Sequence, residues 1–272
     1  MPVEILTDHA VLTGADLLVN TVKTFDTAAA LEPLRHAKIG SAISVQNGVL
    51  KNEQLAAVFS REATLGCLAD FSGEVLPDGR ALFTRNIGIH VGELPTGVSD
   101  RVGQIVDMLE KAGVRAIASP NIETAEWSKF VSWVGLTAVA VLSRQVTHRM
   151  LQDPDLARLQ VTLVREAASL AQRLGIEIED LGGALVAKSL STLDMADAVR
   201  LVQANGEAFE KAGVVAHKMS ALQDAERGRR LEVEETLGYA VRRAGEAGVA
   251  VPALDACYRL LAGINRGFMQ QA

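Results

Sequence analysis

The stretch Asn121 to Arg144, NIETAEWSKFVSWVGLTAVAVLSR, constrains this chain more than any other. It opens polar, with Asn121, Glu123, Thr124 and Glu126, then turns almost wholly apolar, with one lysine, Lys129, at the changeover. The apolar run Val134 to Leu142 has nine residues. A bilayer needs about 20, so this run predicts a helix buried in a protein interior. A lysine at the mouth of such a helix is costly unless it snorkels, meets a carboxylate or takes part in chemistry. By frequency alone, a snorkelling or paired lysine is the more common case.

The chain changes character on either side of this helix. Before it, short strand and helix signals alternate. Leu17 to Val22 (LLVNTV) is an apolar run with the pattern of a strand covered on both faces, and Lys23 follows at its C-terminal end. Asp26 is placed to cap a helix through AAALEPLRHA, which Pro33 should end or bend. Ser41 to Val45 predicts a second buried strand running into Gln46-Asn47-Gly48, with a helix over Asn52 to Phe59 behind it. This is the rhythm of parallel βαβ units, whose ligands collect at the carboxyl ends of the strands, where Lys23 and Asn47 both fall.

From Leu65 the pattern predicts an antiparallel meander: LGCLADFS, then VLPDGRALF with a turn at Pro77-Asp78-Gly79, then Gly88 to Glu93. Ser99 to Ala112 is an amphipathic helix stopped by Gly113, and Val114 to Ala118 is a last strand. After Asn121 every signal is helical. Asp153-Pro154 opens a helix that runs to Leu174 and stops at Gly175. Glu179 to Leu190 and Asp194 to Ala204 read as shorter helices. Ser220 and Gln223 have capping-box spacing before a long charged helix, Ala221 to Gly245, and Pro252 starts a final helix. The prediction is an α/β domain over residues 1–120 and an all-helical domain over residues 121–272.

Composition narrows the function. The 272 residues are 49% hydrophobic and carry a net charge of -6, which suits a globular core and argues against nucleic acid or an anionic membrane as partner. Cys67 and Cys257 are far apart and in no ligand-like spacing, so a reducing compartment with neither disulfide nor metal site is expected. MPVEILTDHA lacks the order of a signal peptide, and the cytoplasm is the expected location.

Four polar spots recur in a telling order: Val22-Lys23, Gln46-Asn47-Gly48, Trp127-Ser128-Lys129-Phe130, and the run from Ser220 through Leu222-Gln223-Asp224 and Gly228-Arg229 to Glu232, with Val251-Pro252 in the tail. Singly each has a bland explanation: a solvated lysine, a turn asparagine, a salt-bridged surface helix. Together they resemble the ketopantoate reductase (2-dehydropantoate 2-reductase) family, over about Asp16 to Leu261. The resemblance implies a Rossmann-like dinucleotide-binding domain followed by a helical domain like the C-terminal domain of 6-phosphogluconate dehydrogenase. It also implies NADPH-dependent reduction of a 2-oxo acid, in pantothenate biosynthesis if the substrate is ketopantoate. Lys129 would be the general acid at the carbonyl oxygen, and Glu232 would position lysine and substrate. Ser220 would hydrogen-bond the substrate, with Thr137 beside it. Lys23 and Asn47 would face the nicotinamide side.

Two departures stand out. Where the family carries substrate-binding asparagines four and eight residues beyond the lysine, this chain has Trp133 and Thr137. This points away from ketopantoate itself and toward a divergent paralogue. The family's G-x-G-x-x-G/A phosphate loop occurs nowhere in the 272 residues, so the Rossmann-like part lacks its first βαβ unit and NADPH should bind weakly. An open strand edge at Leu17 to Val22 would follow, and with it pairing to another chain, so that a homodimer is expected. The competing reading is a non-catalytic remnant that serves as a dimerising or ligand-binding module.

Overall fold

The computed structural model describes residues 4–76 and 78–271. It divides into two compact units, Met1–Glu126 and Trp127–Ala272. In the first, strand β1 (Gly14–Asn20) is followed by a broken helical segment whose α-helical turn is α1 (Thr27–Leu31). Asp26 precedes α1, but its side chain makes no capping hydrogen bond, and a 3-10 turn over Glu32–Leu34 takes up Pro33. Strand β2 (Lys38–Ser44) and helix α2 (Leu50–Phe59) come next, and β1 and β2 pair in parallel. The side chains of β2 alternate between two layers. Ala42 packs with Leu31 and Leu55, whereas Ile43 packs with Leu65, Val91, Val102 and Ile105. Burial on both faces is why the strand reads as an unbroken apolar run.

Strands β3 (Leu65–Val75) and β4 (Ala81–Glu93) form one long antiparallel hairpin rather than the expected three-piece meander. Register shifts at Asp70/Phe71 and Ser72/Gly73 interrupt the pairing, so the sequence between them looks like a break although the ladder continues. Pro77 of the expected turn lies outside the described residues; Gly79 takes φ +83° and closes the turn onto Leu76. Helix α3 (Asp100–Lys111), with Gly113 at φ +81°, leads to β5 (Ala116–Ala118), which pairs in parallel with β4. A bridge between Ala42 and Thr64 links β2 to the start of β3. Among the described residues β1 pairs only with β2, and Val19 on it is exposed.

Helix α4 (Ile122–Ser143) contains the unit boundary. Beyond it, the second unit is built from α5 (Thr147–Gln152), α6 (Pro154–Arg173), a two-stranded ribbon β6 (Asp180–Gly182) and β7 (Leu185–Val186), then α7 (Ala187–Thr192) and α8 (Met195–Lys211). It ends in α9 (Ser220–Glu226), α10 (Leu237–Ala247) and α11 (Pro252–Gln271). Asp153 caps α6, accepting from the amides of Asp155 and Leu156 at 3.0 and 2.9 Å. Asp194 caps α8 through the Asp197 amide. Three readings are corrected here. Glu179 to Leu190 is not one helix, because Gly182 and Gly183 both take positive φ and turn the chain into the small ribbon. The long helix Ala221 to Gly245 is two helices. Arg227 ends the first, Gly228 takes φ +63°, and residues 229–236 run as a connecting segment. Ser220 is the first helical residue, and Met219, which makes no side-chain capping bond, holds the cap position, so the capping box does not form. No helix of the described residues is long and apolar enough to cross a membrane.

Candidate functional site

In the helical unit, α4 presents Lys129, Trp133 and Thr137 at intervals of four residues and so on one face. Its other contacts hold it in place. Trp127 and Phe130 pack edge to face at 5.6 Å, Phe130 continues to Tyr239 at 6.3 Å, and the buried Ser128 hydroxyl accepts from the Glu179 amide at 2.8 Å. Lys129 itself is half-buried.

Thr137 and Trp133 line a small cavity together with Ser220, Asp224 and Glu232. Its volume of about 20 Å³ is room for one or two water-sized groups. Thr137 is buried, and its hydroxyl has no hydrogen-bond partner among the described residues. Three of the residues singled out from sequence, Thr137, Ser220 and Glu232, therefore meet at one place, although they lie on three separate segments. Lys129 stands on the same helical face but is not among the cavity's lining residues.

Glu232 reaches this position because the helix stops at Gly228. Leu231 and Val233 on either side of it are buried, so the connecting segment is anchored twice and Glu232 is held half-buried between the anchors. The Leu231 amide donates to Asn265 Oδ1 at 2.7 Å, and the Thr236 hydroxyl donates to the Glu232 carbonyl. Farther along, burial raises the Glu235 carboxyl above its ordinary range; Glu232 and Glu234 add to the rise and Arg230 opposes it.

In the first unit, Lys23 is exposed and Asn47 half-buried, each just beyond the C-terminal end of a parallel strand. Gln46 braces the two loops. Its Nε2 donates to the Val22 carbonyl at 2.5 Å and to Thr27 Oγ1 at 2.8 Å, while its Oε1 accepts from Ser44 Oγ at 2.9 Å. Gly48 then turns the chain with φ +86°.

The sequence reading missed a second charged cluster in this unit. Lys51 and Glu126 are 2% and 4% exposed and pair at 3.2 Å. Lys51 Nζ also donates to the carbonyls of Gln46, at 3.0 Å, and Cys67. Glu126 accepts from the Cys67 amide at 2.9 Å and from Asn52 Nδ2 at 2.6 Å. In the sequence Lys51 falls just ahead of the helix expected over Asn52 to Phe59, and Glu126 in the polar opening of the Asn121 stretch. Only the fold brings them together.

Known proteins resemble this chain in sequence and in fold. The family described as "Ketopantoate reductase PanE/ApbA" matches residues 1–96, and its C-terminal counterpart, "Ketopantoate reductase PanE/ApbA C terminal", matches residues 121–265. The 2-dehydropantoate 2-reductase of Archaeoglobus fulgidus is 27% identical over 254 residues, covering 93% of this chain and 78% of its own. That of Mycobacterium tuberculosis is 29% identical over 255 residues, covering 93% and 77%. Among solved structures, a putative ketopantoate reductase from Ralstonia solanacearum superposes with a TM-score of 0.77 at 20% identity, covering 100% of this chain and 82% of its own. A D-mandelate dehydrogenase in complex with NADH and anilino(oxo)acetate reaches 0.77 at 16% identity, covering 96% and 80%. At these identities the structures speak for the fold alone, a Rossmann-like part followed by a helical part. None of the comparisons supports the non-catalytic remnant. Family models that span most of the sequence, and a fold shared throughout, place this chain in the ketopantoate reductase family of oxidoreductases.

Proposed function

We propose that the chain reduces the ketone of a 2-oxo acid to a 2-hydroxy acid, a 2-dehydropantoate 2-reductase-like activity. The observation that carries this reading is the meeting of Thr137, Ser220 and Glu232 around one cavity on the unit that holds Lys129, with the Thr137 hydroxyl buried and unpartnered. A buried hydroxyl without a partner costs about 1–3 kcal/mol, which a bound polar group would offset. Family relatives named 2-dehydropantoate 2-reductase support the reaction class.

When bound, a nicotinamide dinucleotide supplies the hydride. The donor set at the ends of β1 and β2, an ammonium at Lys23 and a carboxamide at Asn47, fits the polar nicotinamide end of such a molecule, and NADPH is the proposed form. Lys129 acts on the carbonyl oxygen: its ammonium stabilises the negative charge developing there and delivers the proton that completes the hydroxyl. Glu232 positions that ammonium and the substrate. Ser220 hydrogen-bonds the substrate. The indole of Trp133 and the short hydroxyl of Thr137 narrow the pocket, so compact 2-oxo acids should be preferred to ketopantoate.

The neighbour described as a dimeric ketopantoate reductase from Staphylococcus aureus supports a homodimer here as well. A small-molecule substrate and a cytoplasmic setting complete the proposal.

The test is absorbance-monitored turnover of a panel of 2-oxo acids with NADPH and NADH. Turnover of at least one compact 2-oxo acid, faster than that of ketopantoate, is expected. The 272 residues contain no glycine-rich phosphate loop, so half-saturation should need cofactor at about millimolar concentration, equivalent to only about 4 kcal/mol of binding. No turnover of any member with either cofactor would overturn the proposal.

A further inference from the structure

The geometry points to Lys51 and Glu126 as a positioning pair for the Gln46-Asn47-Gly48 loop, acting on dinucleotide binding through Asn47; this rests on the reductase reading above. Neither residue reaches solvent, and the pair lies wholly inside the first unit. Lys51 Nζ has three donors, and three acceptors meet it: the Gln46 carbonyl, the Cys67 carbonyl and Glu126 Oε1. The Gln46 carbonyl belongs to the peptide that joins Gln46 to Asn47. Fixing it fixes the plane from which the Asn47 backbone departs. The Gln46 side chain is pinned independently to Val22, Thr27 and Ser44. Asn47 is thus held from one side by a charged anchor and turned on the other by Gly48 at φ +86°.

Glu126 does not touch the loop. It accepts from the Cys67 amide and the Asn52 side chain, so Lys51 is gripped by a carboxylate that is itself fixed to β3 and α2. A neutral residue in place of Lys51 could fill the space, but it could not hold the Gln46 carbonyl. A buried ion pair whose charges serve only packing can be replaced by apolar residues of similar size with little loss. A pair that aims a ligand-facing loop cannot.

The experiment compares Lys51→Met, which strands the carboxylate, with the double variant Lys51→Met/Glu126→Leu, which removes both charges. In the full chain, Lys51→Met should lower the melting temperature and raise the cofactor KM about tenfold, with the substrate KM within twofold. The double variant should recover the melting temperature and keep the raised cofactor KM. Recovery of both by the double variant would make the pair structural only and overturn the inference. Amide hydrogen exchange supplies a readout independent of turnover. In the double variant the Asn47 and Gly48 amides should exchange at least tenfold faster, with β2 unchanged, and equal exchange would overturn the inference. Wild-type protein that turns over no 2-oxo acid would instead sink the reductase reading, and the exchange result would still decide the role of the pair in holding the loop.

Discussion

Lys51 and Lys129 are both withdrawn from water, one almost fully and one by half, and the contrast between them is between a lysine closed inside a charged network and the lysine proposed above as the acid of the reaction. Lys51 is 2% exposed, and every donor on its ammonium is matched by an acceptor inside the first unit. Lys129 is half-buried on a helix face that continues through Trp133 to Thr137, where a buried hydroxyl has no partner. A closed network leaves nothing for a ligand to satisfy. The Thr137 hydroxyl, without a partner among the described residues, has hydrogen-bonding capacity that a bound polar group can fill.

The sharpest way to break this contrast is to neutralise each lysine in turn. Lys129→Met should lower kcat by about two powers of ten or more, the range expected when one positioned acid is lost, and should leave the fold intact. Steady-state rates within threefold of wild type would return Lys129 to a snorkelling role. Lys51→Met should do the reverse in kind: it should cost about 3–5 kcal/mol of stability, because it leaves the Glu126 carboxylate buried and unpaired. Denaturant unfolding measures this, and a loss below about 1 kcal/mol would mean that water reaches Glu126 in solution.

Smaller effects test the open side of the comparison. Thr137→Val swaps a buried unpartnered hydroxyl for a methyl group, so without substrate the variant should gain about 1 kcal/mol. Substrate KM should rise severalfold at the same time. Destabilisation by calorimetry would show that the hydroxyl has a partner after all. Glu235→Gln concerns pH. Burial raises the folded-state pKa of Glu235, so as pH rises the unfolded chain ionises before the folded one does. The stability associated with this group is complete below the ordinary carboxylate value and is lost as pH climbs through the raised value. The glutamine variant should therefore melt higher than wild type near neutral pH and no higher at pH 3. An advantage that is constant across pH would exclude titration of Glu235 as its source.

Local pattern was enough for much of the fold. Burial on both faces wrote β2 as an apolar run, Asp153 announced its helix by a side-chain cap, and Gly113 marked a stop that its positive φ explains. Where local pattern failed, non-local packing overrode it. The charged run after Ser220 has helical composition throughout, yet Gly228 and the burial of Leu231 and Val233 break it into two helices, and that break places Glu232 at the cavity. The hairpin of β3 and β4 hid behind its register shifts for a similar reason, since a bulge disturbs the alternation without ending the strand.

The candidate site divides along the same line. The sequence by itself determined the two-part architecture, the family, and the identities of Lys23, Asn47, Lys129, Thr137, Ser220 and Glu232 as the residues to watch. The architecture follows from local periodicity, and the residues follow from the order of motifs that carries the resemblance to the family. The tertiary structure alone decided that Thr137, Ser220 and Glu232 share a cavity, that the Thr137 hydroxyl is unpartnered, and that Lys51 meets Glu126 out of water. Burial and pairing between distant segments are properties of the packed chain. A lysine beside a helix start carries the same local pattern whether it ends in solvent or against a buried carboxylate.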